Sequence, residues 1–115
     1  MEEMDFSLGL RLKNRNGIFF GPGPVRLLMA IEQGSSLKQA AEQMGMAYSK
    51  AWRILRYAEG QLGFALLTKK RGGAGGGGSF LTDKARSLLH QYLAFQKAVA
   101  AEADELFGRY FGDCL

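Results

Sequence analysis

The chain has 115 residues but only one cysteine, Cys114, and one histidine, His90. A single thiol forms no internal disulfide, which fits a reducing, cytoplasmic setting. One Cys and one His are too few for the usual zinc ligand set, so no metal site is expected. No run of about 18 apolar residues occurs, so no membrane span is expected. The opening Met1-Glu2-Glu3-Met4-Asp5 is acidic where a signal peptide is basic. His90 has no Cys or Ser nucleophile placed beside it by the sequence, so neither an enzyme nor a cofactor is expected. What is present is an ordinary soluble composition, 47% hydrophobic and 23% charged, in a length that suits one small core.

The net charge of +4 is unevenly placed. Residues 1–45 are neutral overall. Residues 46–86 carry Lys50, Arg53, Arg56, Lys69, Lys70, Arg71, Lys84 and Arg86 against Glu59 and Asp83, a net of +6. Residues 87–115 are net −2. Positive charge confined to the middle third is the footprint of a face that meets a polyanion.

Leu8, Leu10 and Leu12 alternate with Gly9, Arg11 and Lys13, a period of two that predicts a half-buried strand. Asn16-Gly17 is a turn signal, with Ile18-Phe19-Phe20 returning. Gly21-Pro22-Gly23-Pro24 then opens a helix whose apolar face is Leu27, Leu28, Ala30 and Ile31, stopped at Gly34. Ser36-Leu37-Lys38-Gln39 reads as a capping box for a short second helix that points Leu37, Ala40, Ala41 and Met44 inward and ends at Gly45. A third helical pattern follows at once: Ala51, Leu55, Ala58 and Leu62. Two short helices joined by a tight turn with glycine form a helix-turn-helix. Ala41 lets the helices cross closely, and Gly45 permits a left-handed turn.

After Gly63, residues 65–71 are strand-like, residues 72–78 hold six glycines in seven, and Ser79-Phe80-Leu81-Thr82 can return. This is a β-hairpin wing. Thr82 or Asp83 caps a last helix that reaches about residue 111, roughly 40 Å long. The expected fold is mainly α with a small β wing. A winged helix-turn-helix over 1–82 is followed by a dimerisation helix and tail over 83–115.

With its apolar positions turned inward, the third helix presents Tyr48, Ser49, Lys50, Arg53 and Arg56 outward, and these are the candidate DNA contacts. Arg53 suits a guanine edge, and Tyr48 and Ser49 suit bases or phosphates. Trp52 is expected in the core as its large anchor. Lys69, Lys70, Arg71, Gly72 and Gly75 on the wing suit phosphate contact. On the last helix Leu88, Tyr92, Phe95, Val99, Leu106 and Tyr110 recur at spacings near three and four, interrupted by Glu102. Val99, Leu106 and Tyr110 lie too far along to pack wholly on so small a domain. The stripe is therefore assigned to a homodimer interface.

Residues 8–93 resemble the N-terminal DNA-binding domain of the molybdate-responsive ModE regulators. The likeness is carried by Phe20-Gly21, by Gly45-Met46-Ala47-Tyr48-Ser49-Lys50-Ala51-Trp52, and by the glycine run 72–78 followed by Leu81-Thr82. A broader similarity to LysR-type winged helices runs through Ala40-Ala41, Leu62-Gly63, Leu66 and Leu81-Thr82. The resemblance implies a dimer held by the long helix, a recognition helix in the major groove and a wing on the flanking backbone or minor groove. ModE proteins of the full type add C-terminal molybdate-binding domains. This chain ends at Leu115 without room for them, so no molybdate binding is expected in it.

Three functions compete. A transcriptional regulator that binds double-stranded DNA uses every feature above. A dimerising winged helix that holds a protein partner is the alternative, but it leaves the net +6 without a purpose. A nucleotide-binding enzyme would need Gly73, Gly75 and Gly78 to form a dinucleotide loop, and no βαβ unit surrounds them.

Overall fold

In the computed structural model, residues 3–69 and 79–114 are described. A hairpin of β1 (Leu12–Asn14) and β2 (Gly17–Phe20) leads into α1 (Pro22–Glu32), α2 (Leu37–Gln43) and α3 (Tyr48–Leu62). The short strands β3 (Leu67–Thr68) and β4 (Phe80–Leu81) pair next, then α4 (Asp83–Phe111) and one 3-10 turn, Gly112–Cys114, complete the order. Mainly α with two small antiparallel hairpins is the expected class.

The first hairpin turns at Gly17, whose φ of +114° suits glycine. The side-chain amides of Asn14 and Asn16 both donate to Gln61 Oε1 at 2.9 Å and fasten the turn to α3. The register pairs Leu12 with Phe20 and Lys13 with Ile18, so Phe19 is skipped. That irregularity sends Phe20 into the core with no exposure and leaves Phe19 half-buried. The alternation from Leu8 predicts more strand than forms. Only Leu12 of that series lies in β1, because the four residues of β2 offer no partner further back. Residues before β1 instead reach α4: the Leu10 carbonyl accepts from Tyr92 Oη at 2.7 Å, and the Phe6 ring lies 4.9 Å from Phe107.

α2 starts on the capping box that Ser36 and Gln39 announce. Ser36 Oγ accepts from the Gln39 N–H at 3.0 Å, and Gln39 Oε1 accepts from the Ser36 N–H at 2.9 Å. Gly45 then turns the chain at φ +65° into α3. Ala40 and Ala41 of α2 and Ala51 and Ala58 of α3 are all buried, and these small side chains let the two helices cross closely. Phe20, Leu27, Leu28, Leu55, Leu66 and Leu89 fill the centre.

At the wing base, Leu67 pairs with Leu81 and Thr68 with Phe80. Thr82 joins wing to helix. Its hydroxyl donates to the Ala65 carbonyl at 2.7 Å and accepts from the Ala85 N–H, the α4 cap, at 3.1 Å. The 29 residues of α4 span about 43 Å. Its first turns bury Ala85, Leu89 and Tyr92, and beyond Tyr92 no residue of α4 is buried. Among the described residues no helix is long and apolar enough to cross a membrane.

Candidate nucleic-acid interface

α3 buries Ala51, Leu55 and Ala58 and turns the opposite side outward. Tyr48, Ser49, Lys50, Arg53 and Arg56 are all exposed on it. Lys50 and Arg53 make no ion pair among the described residues. Arg56 is differently placed. Its guanidinium lies 4.4 Å from the centre of the Trp52 ring, and its Nη1 is 3.4 Å from Glu59 Oε1. The other oxygen of Glu59 accepts the Leu66 N–H at 2.8 Å. Trp52, Arg56 and Glu59 therefore tie the flank of α3 to the chain entering the wing.

Trp52 corrects a sequence expectation: it is 38% exposed, not a core anchor. The helix geometry explains this. Trp52 lies on the ridge Tyr48–Trp52–Arg56, four residues apart, beside the core ridge Ala51–Leu55–Ala58. Tyr57 is a further exposed aromatic that the sequence reading passed over. The spacing held the signal for both, since neither falls on the apolar stripe.

The β3–β4 hairpin packs on α1 and α4 through β4, with Lys69 exposed just beyond β3. Lys70, Arg71, Gly72 and Gly75 lie outside the described residues. Arg86 is not spare charge: it meets Asp83 at 3.0 Å and Glu32 at 3.7 Å. His90 Nε2 lies 2.8 Å from the same Glu32 carboxylate, so it links α4 to the end of α1.

Residues 24–86, spanning the helix-turn-helix and the wing, match the family described as "Bacterial regulatory helix-turn-helix protein, lysR family". The chain belongs to this family. The Transcriptional regulator ModE of Haemophilus influenzae is 37% identical over 83 residues, covering 72% of this chain and 32% of its own. The DNA-binding transcriptional dual regulator ModE of Escherichia coli K12 is 30% identical over 89 residues, covering 77% of this chain and 34% of its own. The chain thus spans about a third of the length of these curated relatives, and the shared part is a ModE-like DNA-binding domain. The crystal structure of ArgP from Mycobacterium tuberculosis is alike in fold, with a TM-score of 0.51 at 20% identity over 72% of this chain and 30% of that one.

The dimer stripe divides. Phe95, Leu106 and Tyr110 are exposed on this lysR-family chain's long helix, and Val99 is half-buried. Tyr92 is a correction. It is 3% exposed, packs edge-on to Phe20 with centroids 5.6 Å apart, and is spent inside the subunit. Burial raises its phenol pKa, opposed in part by the positive charge of Arg11. Leu88 is half-buried against the same core. Phe107 and Phe111 were not foreseen; their rings stand 5.4 Å apart, with Phe6 against the first.

Proposed function

We propose that the chain is a homodimeric, cytoplasmic regulator of transcription that reads double-stranded DNA sequence-specifically. α3 enters the major groove with Tyr48 and Ser49 leading. Arg53 takes a base edge, Lys50 and Arg56 flank it, and the wing from Lys69 follows the phosphate backbone. The state of the charges on α3 carries this reading. Lys50 and Arg53 point outward without ion pairs among the described residues, and Lys69 at the wing is exposed as well. Cations left unpaired on one face suit a polyanion, whose counterions they displace.

The distal half of α4 supplies the two-fold contact, with Phe95, Val99, Leu106 and Tyr110 meeting their equivalents. Two recognition helices then stand about one DNA turn apart, or a multiple of it. Molybdate is not part of the proposal, because Lys50, Arg53 and Lys69 are assigned to the DNA face.

The test is an anisotropy titration with duplexes enriched from a random pool. The logarithm of affinity is expected to fall linearly with the logarithm of salt, with several ions released per subunit. A flat salt response, or no duplex binding at low salt, ends the proposal.

A further inference from the structure

A cavity of about 500 Å³ opens between the β1–β2 hairpin, the start of α1 and the flank of α3. Its walls are largely apolar, with Phe19, Pro22, Pro24 and Ile54 among them. Three polar side chains also line it: Arg11, Arg53 and Tyr57. No acidic residue lines it. Arg11 and Arg53 make no ion pair among the described residues. Arg11 lies across Gly21, where an added Cβ would sit 3.1 Å from its Cγ, so the missing side chain makes room for the arginine stem.

We propose that this cavity binds a small organic monoanion, a carboxylate on an aromatic or branched aliphatic body, and that the bound ligand releases the protein from DNA. The carboxylate answers the uncompensated guanidinium of Arg53, joined by that of Arg11 as it lifts from Gly9, and the body fills the apolar walls. An inorganic oxyanion leaves those walls in water, and so does a backbone phosphate. The release follows from Arg53, which lines the cavity and stands on the outward face of α3. One guanidinium does not serve a ligand carboxylate and a base edge together. This coupling rests on the DNA-reading role of Arg53 given above; the occupancy of the cavity does not.

The test uses the full 115-residue chain, ¹⁵N-labelled. Benzoate, phenylacetate and 4-methylpentanoate are titrated at millimolar concentration. Benzyl alcohol supplies the body without the charge, and phosphate and molybdate supply charge without the body. The carboxylates are expected to shift the amides of Ile18, Gly21, Gly23, Ile54 and Tyr57 saturably, and the three controls are not. Arg11→Met should weaken carboxylate binding about tenfold while amides distant from the cavity keep their positions, so that loss of folding is scored separately. Saturating carboxylate should weaken the enriched duplex at least about fivefold. No carboxylate shifts, equal shifts with phosphate, or binding untouched by Arg11→Met each overturn the pocket. Shifts without loss of duplex affinity overturn the coupling. A chain that binds no duplex while the shifts persist overturns the DNA reading and leaves the pocket standing.

Discussion

The two halves of α4 share one helix and little else. The first ten residues bury Ala85, Leu89 and Tyr92 against the domain. The remaining nineteen bury nothing fully, although Phe95, Leu106, Phe107, Tyr110 and Phe111 make them just as apolar. The N-terminal segment covers a little of that length through Phe6, and Leu106 and Tyr110 remain 42% and 73% exposed. Burial inside the subunit and exposure outside it are thus separated along one rod, not around it. The proximal half belongs to the fold of one chain, and the distal half is the part proposed to meet a second copy.

The sharpest way to break this contrast is Val99→Glu with Leu106→Glu. Sedimentation should report a monomer with an unchanged helical spectrum. Affinity for a two-half-site duplex should fall by about 10²- to 10⁴-fold as the second recognition helix is lost. An unchanged mass would place the dimer elsewhere, and a monomer in the parent chain at tens of micromolar would overturn the dimer itself. Leu89→Ala is the opposite case. It should cost about 2–5 kcal/mol in urea unfolding, whereas Leu106→Ala should cost the isolated subunit under about 0.5 kcal/mol. Equal losses would erase the division.

Much of the fold was legible because its signals are local. The Ser36–Gln39 box, the turn at Gly45 and the cap at Thr82 each act within a few residues of themselves. Apart from Trp52, which its own helical period sets beside the core stripe, the misses are long-range. Nothing near Tyr92 reveals that its hydroxyl reaches a carbonyl 82 residues away, so its place in an apolar series suggested an interface. The leucine alternation at Leu8–Leu12 is real, but a strand needs a partner, and β2 is too short to give one. Of the site, the outward set on α3 follows from the period alone. The cavity at Arg11 does not, because it forms only when the hairpin folds beside α3.

Within the domain, the proposed interface has unequal parts. Arg53→Ala should weaken the enriched duplex by about 1–3 kcal/mol and random duplex by less, whereas Lys50→Ala should weaken both alike. Equal losses for Arg53→Ala on the two duplexes would make Arg53 a phosphate contact.

The smallest expected effect concerns Tyr92. Its phenol pKa is raised above 10.0 in the folded chain, chiefly by burial. Above pH 10.0 the unfolded chain gives up this proton more readily than the folded one. The associated stability is complete below that pH and is lost as pH rises through the folded pKa. Tyr92→Phe should cost about 1 kcal/mol at neutral pH, from the lost bond to the Leu10 carbonyl, and should flatten part of the alkaline decline in thermal melts. An unchanged decline would assign it to another group.

The joint at Thr82 turns α4 into a lever. The threonine hydroxyl helps to set the angle at which the helix leaves the wing, with bonds of 2.7 Å to Ala65 and 3.1 Å to Ala85, alongside the packing of Leu89 and Tyr92 and the Glu32 contacts of Arg86 and His90. A swing of one degree there moves the far end of a rod about 43 Å long by about 0.7 Å. In a two-fold assembly joined at that end, the same swing is applied twice. In the proposed dimer the distance between the two copies of α3 follows from that angle, and the spacing of a palindromic target becomes a gauge of it.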